Sequence, residues 1–182
     1  YLFGVHPSLC NKAFRREIIY QNQLKVDDKI ALGEDVACSY ECLLEANSVY
    51  IIDSYLYHYR KNIGSITKSY NKNIFNNIDI LINHLFEVFK KYNVSNYIEQ
   101  IYYYITYLLI MAVDNENYID KPTKEKVLYL KSKLKQDYFI RSLSYIKLNN
   151  MKIKFKLFFI LLKHKRYKLL LFLLKIKNKI SS

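Results

Sequence analysis

The chain has 182 residues, is 51% hydrophobic, and contains three Gly, two Pro and no Trp; this excludes global disorder and leaves too little turn punctuation for a many-stranded all-β fold. Its net charge of +13 is lopsided: after Asp137 there is no Asp or Glu, while Arg141 and eleven later Lys/Arg residues supply +12 and leave +1 for the first 137 residues. The basicity belongs to a tail, so it gives no argument that the main body binds nucleic acid.

Tyr1 opens straight into an apolar stretch with no charged n-region, so the sequence predicts no secretory signal and reads as a fragment that begins inside a longer protein. "KAFRREIIYQN" (12–22) predicts a short helix with Phe14, Ile18 and Ile19 facing inward, followed by a loop around "KVDDK". In "ALGEDVACSYECLLEAN" (31–47), Val36, Tyr40, Leu43 and Leu44 recur at helical spacing, which places Glu34 and Asp35 at a helix start after Gly33. "VYIIDSYLYHYRK" (49–61) is rich in aromatic and β-branched residues and predicts one or two strands. Alternation there sets Tyr55, Tyr57 and Tyr59 on one face and Leu56, His58 and Arg60 on the other, with one face packed on the core.

From Ser69 onward the period is helical. Ile74, Ile78, Leu81, Leu85, Val88 and Tyr92 form one stripe. Ile98, Ile101, Ile105, Leu108 and Ala112 form a second, with Ser95 as N-cap, and Val127, Leu130 and Leu134 follow Pro122 as a third. The chain divides into an α/β segment (1–67), a helical segment (68–140) and a basic tail (141–182). Cys38 and Cys42 lie one helical turn apart, but neither a CxxC nor a nearby His pair completes a metal site, so the three cysteines read as buried free thiols of a reducing compartment.

The Glu34–Asp35 pair admits two readings. Acidic side chains suit a first helical turn because they face unpaired N–H groups and the positive end of the helix dipole. The same place holds a carboxylate ready to take a proton from a sugar hydroxyl. On strand 55–60, a cation and an imidazole sharing a face could hold a diphosphate, or Arg60 could form a surface ion pair on a solvated edge. Lys12 and Arg15 carry the same two readings, with a structural role favoured for Arg15.

Taken together, "CNKAFRREII" (10–19), "ALGEDVACSYECLLEAN" (31–47), "VYIIDSYLYHYR" (49–60) and "GSIT" (64–67) resemble, in order and spacing, the C-terminal half of family-two glycosyltransferases. These are bacterial GT-A enzymes that build capsule and other surface polysaccharides; Ala13 stands where they usually carry leucine. The resemblance implies an α/β fold, the C-terminal half of a GT-A domain, followed by a mainly helical extension. It implies an inverting transfer with Asp35 as catalytic base and Glu34 as its preceding partner. Lys12, His58 and Arg60 are then the candidates for substrate or diphosphate binding. It further implies a nucleotide-sugar donor, a glycan or lipid-linked acceptor, and a divalent metal (Mn or Mg) that neutralises the leaving diphosphate. The family's aspartate-x-aspartate motif does not occur, since "VDD" (26–28) and "DNE" (114–116) lie in the wrong order and context. No metal ligand is therefore assigned within these residues, and the fragment alone is expected to be inactive.

In the tail, the apolar blocks Leu157–Leu162 and Leu169–Leu174 flank Lys163–Lys168. Each block is far shorter than the roughly 20 residues that span a bilayer. As helices they are expected to lie in the membrane interface, with Phe155, Phe158, Phe159 and Phe172 at the acyl boundary and the lysines at the headgroups. The alternative is that both blocks pack on the helical segment as core. An anionic membrane surface bound through 151–182 would place the protein on the cytoplasmic face of the plasma membrane. A non-catalytic helical membrane-associated protein is the next reading, and a nucleic-acid-binding module ranks behind it.

Overall fold

Apolar residues spaced three and four apart dominate the sequence beyond residue 69, and helices follow from that spacing. The computed structural model describes residues 5–58, 69–95, 97–147 and 151–180, without the side chains of the last two. Among these residues there are eight α-helices: α1 (Arg16–Gln21), α2 (Glu34–Glu45), α3 (Ile74–Lys91), α4 (Tyr97–Asn115), α5 (Thr123–Lys133), α6 (Asp137–Tyr145), α7 (Ile153–Lys163) and α8 (Tyr167–Ile180). A 3-10 turn at Leu9–Asn11 precedes them, its N–H at Cys10 donating to the Ser8 hydroxyl.

The expected α/β architecture is corrected: no strand occurs among the described residues. Residues 49–58 carry no regular secondary structure, and Val49, Tyr50, Ile51, Ile52, Tyr55 and Leu56 are exposed. The expected packing of one face of this stretch on a core is absent for the described part, 49–58; Tyr59, Arg60 and "GSIT" lie outside the described residues. The physical reason is that β-propensity measures fit to a pleated, half-buried surface. A strand exists only where a neighbour completes its ladder, and no described segment does so.

The chain forms two units, Tyr1–Ile63 with Asn76–Ile101 and Gly64–Phe75 with Tyr102–Ser182. In the first, α2 buries Val36, Ala37, Tyr40 and Cys42, and α3 buries Ile78, Leu81, Ile82, Leu85, Val88 and Phe89. Tyr40 and Phe89 meet edge to face with centroids 6.4 Å apart, and the Tyr40 hydroxyl donates to the Val5 carbonyl at 2.8 Å. The expected stripe along α3 is buried from Ile74 to Val88, with Tyr92 half-buried just past the helix, where its hydroxyl donates to Glu45. The predicted first helix is shorter than 12–22, and its Phe14, Ile18 and Ile19 are only half-buried. Helix α3 stops where Asn93 turns left-handed (φ +49°) and the Val94 N–H donates to the Phe89 carbonyl at 3.1 Å.

In the second unit the apolar face of α4 buries Ile105, Leu108, Leu109, Ala112 and Val113. Phe75 packs edge to face on Tyr129 (5.7 Å) and Phe139 (6.0 Å), and Tyr102 stacks on Tyr145 at 4.7 Å. The Asn115 side chain brackets the Asn71 backbone, accepting its N–H at 2.8 Å and donating to its carbonyl at 3.1 Å. Helix α5 begins directly after Pro122, as expected, and buries Leu130, while Val127 and the Leu134 that follows the helix are half-buried. Helix α7 packs against α8, and α8 against α5. Asn178 on α8 donates to Asp114 at 2.9 Å.

One carboxyl in this unit is out of place for its chemistry. Glu116 is 2% exposed, and its Oε1 has no hydrogen-bond partner among the described residues. Burial raises its pKa above the ordinary 4.5; the Asn115 side chain, Lys126 and Lys121 pull the other way and do not cancel it. A raised folded-state pKa means the fold takes up the proton more readily than the unfolded chain does. The stabilisation is therefore full below the ordinary carboxyl range and is lost as pH rises through the folded value. Glu116→Gln, which cannot ionise, should exceed the parent at neutral pH by about 1 kcal/mol, roughly 2–4 °C in melting temperature. Thermal melts repeated from about pH 4 to pH 8 should show that advantage shrinking in acid. A constant offset at every pH would contradict it.

Candidate functional site

Gly33 makes the α2 start possible. Its backbone lies in the left-handed region (φ +79°), and a Cβ placed there would come within 2.4 Å of Leu81 Cδ2 on α3. Glycine alone meets both demands without strain, so the chain turns directly into α2 with Glu34 and Asp35 in its first turn. Gly33→Ala should cost about 2 kcal/mol from the left-handed backbone and the displaced Leu81, a drop of roughly 4–8 °C in melting temperature. Circular dichroism melts check this, and an unchanged midpoint would refute it.

Asp35 is half-buried, and its Oδ1 accepts the Val36 N–H at 2.8 Å; Glu34 is exposed. The charge of Asp35 reaches Lys12, but no ion pair or hydrogen bond joins the two. Lys12 Nζ donates to the Ser8 carbonyl and to Asn11 Oδ1, each at 2.8 Å, and also to the His6 carbonyl. Burial lowers the pKa of Lys12, and the negative charge of Asp35 partly offsets this. Lys12 thus ties loop 6–12 together. His58 is exposed within 49–58, and Arg60 lies outside the described residues. Arg15 is exposed at the start of α1.

Sequence reasoning missed three features of this unit. His6 shares the loop that Lys12 ties, its Nδ1 accepting the Ser8 N–H at 3.2 Å. Glu41 on α2 and His84 on α3 face each other at 2.7 Å with both side chains largely covered. The one available signal was a carboxylate one turn past Ala37, and a histidine among apolar residues, at positions that α2 and α3 turn toward each other. Third, Ile19, Leu24, Lys25, Val26, Cys38, Glu41 and Cys42 line a recess of about 30 Å³. Ligand pockets usually take about 300–1,000 Å³, so this one holds no sugar nucleotide. Burial, helped by Cys38 beside it, pushes the Cys42 thiol up to about 12, which leaves it inert as a nucleophile. Cys42 is buried and Cys38 half-buried, whereas Cys10 is exposed, contrary to the expectation of three buried thiols.

Among the described residues no group of three or more His, Cys, Asp or Glu side chains could hold a metal ion. No such group surrounds Asp35, so the residues present there do not fit a divalent ion, and no step is routed through one. The arrangement offers a half-open carboxylate at a helix start and the glycine turn that sets it there. No family model, curated protein or solved structure matches the chain.

Proposed function

We propose that the chain carries the acceptor-activating part of an inverting glycosyltransferase, with Asp35 as the general base. The observation that carries this reading is the Gly33 turn, which presents Asp35 half-open to solvent in the first turn of α2. The other segments of the ordered set, 10–19, 49–60 and 64–67, support it in sequence. In the proposed step, Asp35 takes the proton of an acceptor hydroxyl as that oxygen bonds to the anomeric carbon of a nucleotide sugar. The bond from that carbon to the diphosphate breaks on the opposite side, and the nucleoside diphosphate departs with the electron pair. Donor binding and neutralisation of the diphosphate are assigned to groups outside the described residues; the acceptor is a glycan, free or lipid-linked.

The test uses the open reading frame that contains this chain, expressed with its membranes and supplied with a panel of radiolabelled uridine, guanosine and thymidine diphosphate sugars. Label should move into an extractable lipid or a polymer, with the anomeric configuration inverted by NMR of the product. Retained configuration, or no transfer from any donor of the panel, would overturn the reading.

A further inference from the structure

Helices α7 and α8 are apolar on two sides. Each buries one row in its unit, Phe158, Phe159, Leu161 and Leu162 on α7 and Tyr167, Leu170, Leu171 and Leu174 on α8. On the opposite side of α7, Ile153, Leu157 and Ile160 are exposed; on the opposite side of α8, Leu169, Phe172 and Ile176 are exposed. Spacings of four and three, or three and four, make each set a continuous row along its helix. Lys154 lies to one side of the α7 row and Lys163 to the other; Lys168 and Lys175 lie to one side of the α8 row and Lys177 to the other, all of them exposed. The expectation that Phe158 and Phe159 meet lipid is corrected, since both are buried, while Phe155 and Phe172 are exposed.

We propose that the exposed rows of α7 and α8 are a membrane-contact surface for an anionic bilayer, with both helices lying in the interface. The inference goes beyond the Asp35 reading and does not depend on it. Three observations select this occupant. Neither helix is long and apolar enough to cross a membrane, so contact is with the surface. Long lysine stems beside an apolar row reach headgroup phosphates while the row enters the acyl boundary. The absence of any acid after Asp137 disfavours a second copy of the chain, which would bring like charge to like. Nucleic acid would engage the lysines but leave six apolar side chains in water.

The sequence lacks Trp, so one introduced tryptophan reports its own site. In the full chain, Phe172→Trp should shift its emission to the blue on adding phosphatidylglycerol/phosphatidylcholine vesicles, and brominated lipid should quench it. Ile140→Trp, on an exposed position of α6, should do neither. In vesicle flotation, Leu157→Asn with Leu169→Asn should weaken binding at least about tenfold. Each of Lys154→Gln, Lys168→Gln and Lys175→Gln should weaken it about fivefold. All five residues are exposed, and unchanged circular dichroism confirms that the fold is kept. The proposal is overturned if the parent does not float with anionic vesicles, or if the Asn variant floats equally well. It is also overturned if both tryptophans shift together, if the chain binds an oligonucleotide in preference to vesicles, or if the rows pair two chains in solution and neither row meets lipid.

Discussion

Asp35→Asn should lower sugar transfer by about 10²–10⁴-fold, the usual cost of removing a general base. The substitution separates the two roles open to an acid at a helix start. Asparagine keeps the size of the side chain and an oxygen able to accept the Val36 N–H that Asp35 Oδ1 accepts at 2.8 Å. It cannot take the acceptor's proton at neutral pH. Stability should therefore stay within about 0.5 kcal/mol, the range of surface substitutions that break no packing. Lys12 keeps its hydrogen bonds to Ser8, Asn11 and His6 in the variant, so the loop it ties remains in place.

Phe89→Ala should cost about 3–5 kcal/mol, a fall of roughly 6–20 °C in melting temperature. Phe89 is fully buried, meeting Tyr40 of α2 at 6.4 Å and Tyr97 of α4 at 6.5 Å, both edge to face. Alanine would remove both ring contacts and leave a cavity between α2 and α3, which packed helices collapse only in part. Phe89→Leu, which fills more of that space, should cost clearly less. Denaturant titration with the midpoint read by circular dichroism checks both, and equal stability of Phe89→Ala and the parent would show that α2 is not held through this residue. Because α2 carries Asp35 at its first turn, loss of this contact should also reduce transfer in proportion to the unfolded fraction.

The helices were legible where one buried face repeats over several turns. Ile74, Ile78, Leu81, Leu85 and Val88 share a stripe in sequence and are all buried in α3. The start of α2 was legible too, because a glycine followed by two acids is a local signal that needs no distant partner. Residues 49–58 were misread for the converse reason. Their β-branched and aromatic side chains state a local preference, whereas a strand needs a partner from elsewhere in the chain. In the tail, the positions of α7 and α8 were evident, but the face was not. Phe158 and Phe159 are adjacent in a helix apolar on two sides, so period alone does not choose which residues enter the core. Glu116 shows a further limit: nothing in "DNEN" marks the acid as buried, and only the packing around it reveals that it is. The hydrogen bonds of Lys12 were hidden in the same way, since backbone acceptors leave no trace in residue identity.

The measurement that bears most directly on the account sets transfer rate beside melting temperature for the parent, Asp35→Asn and Glu34→Gln, prepared from the same reading frame and assayed with the donor that labels the acceptor. If Asp35 is the base, Asp35→Asn should fall to about 1% of the parent rate or less with its melting temperature unchanged, while Glu34→Gln, whose side chain is exposed, keeps most of the activity. If Asp35→Asn instead turns over at close to the parent rate, Asp35 is an ordinary first-turn acid and the assignment of a sugar-transfer base to this helix start is wrong.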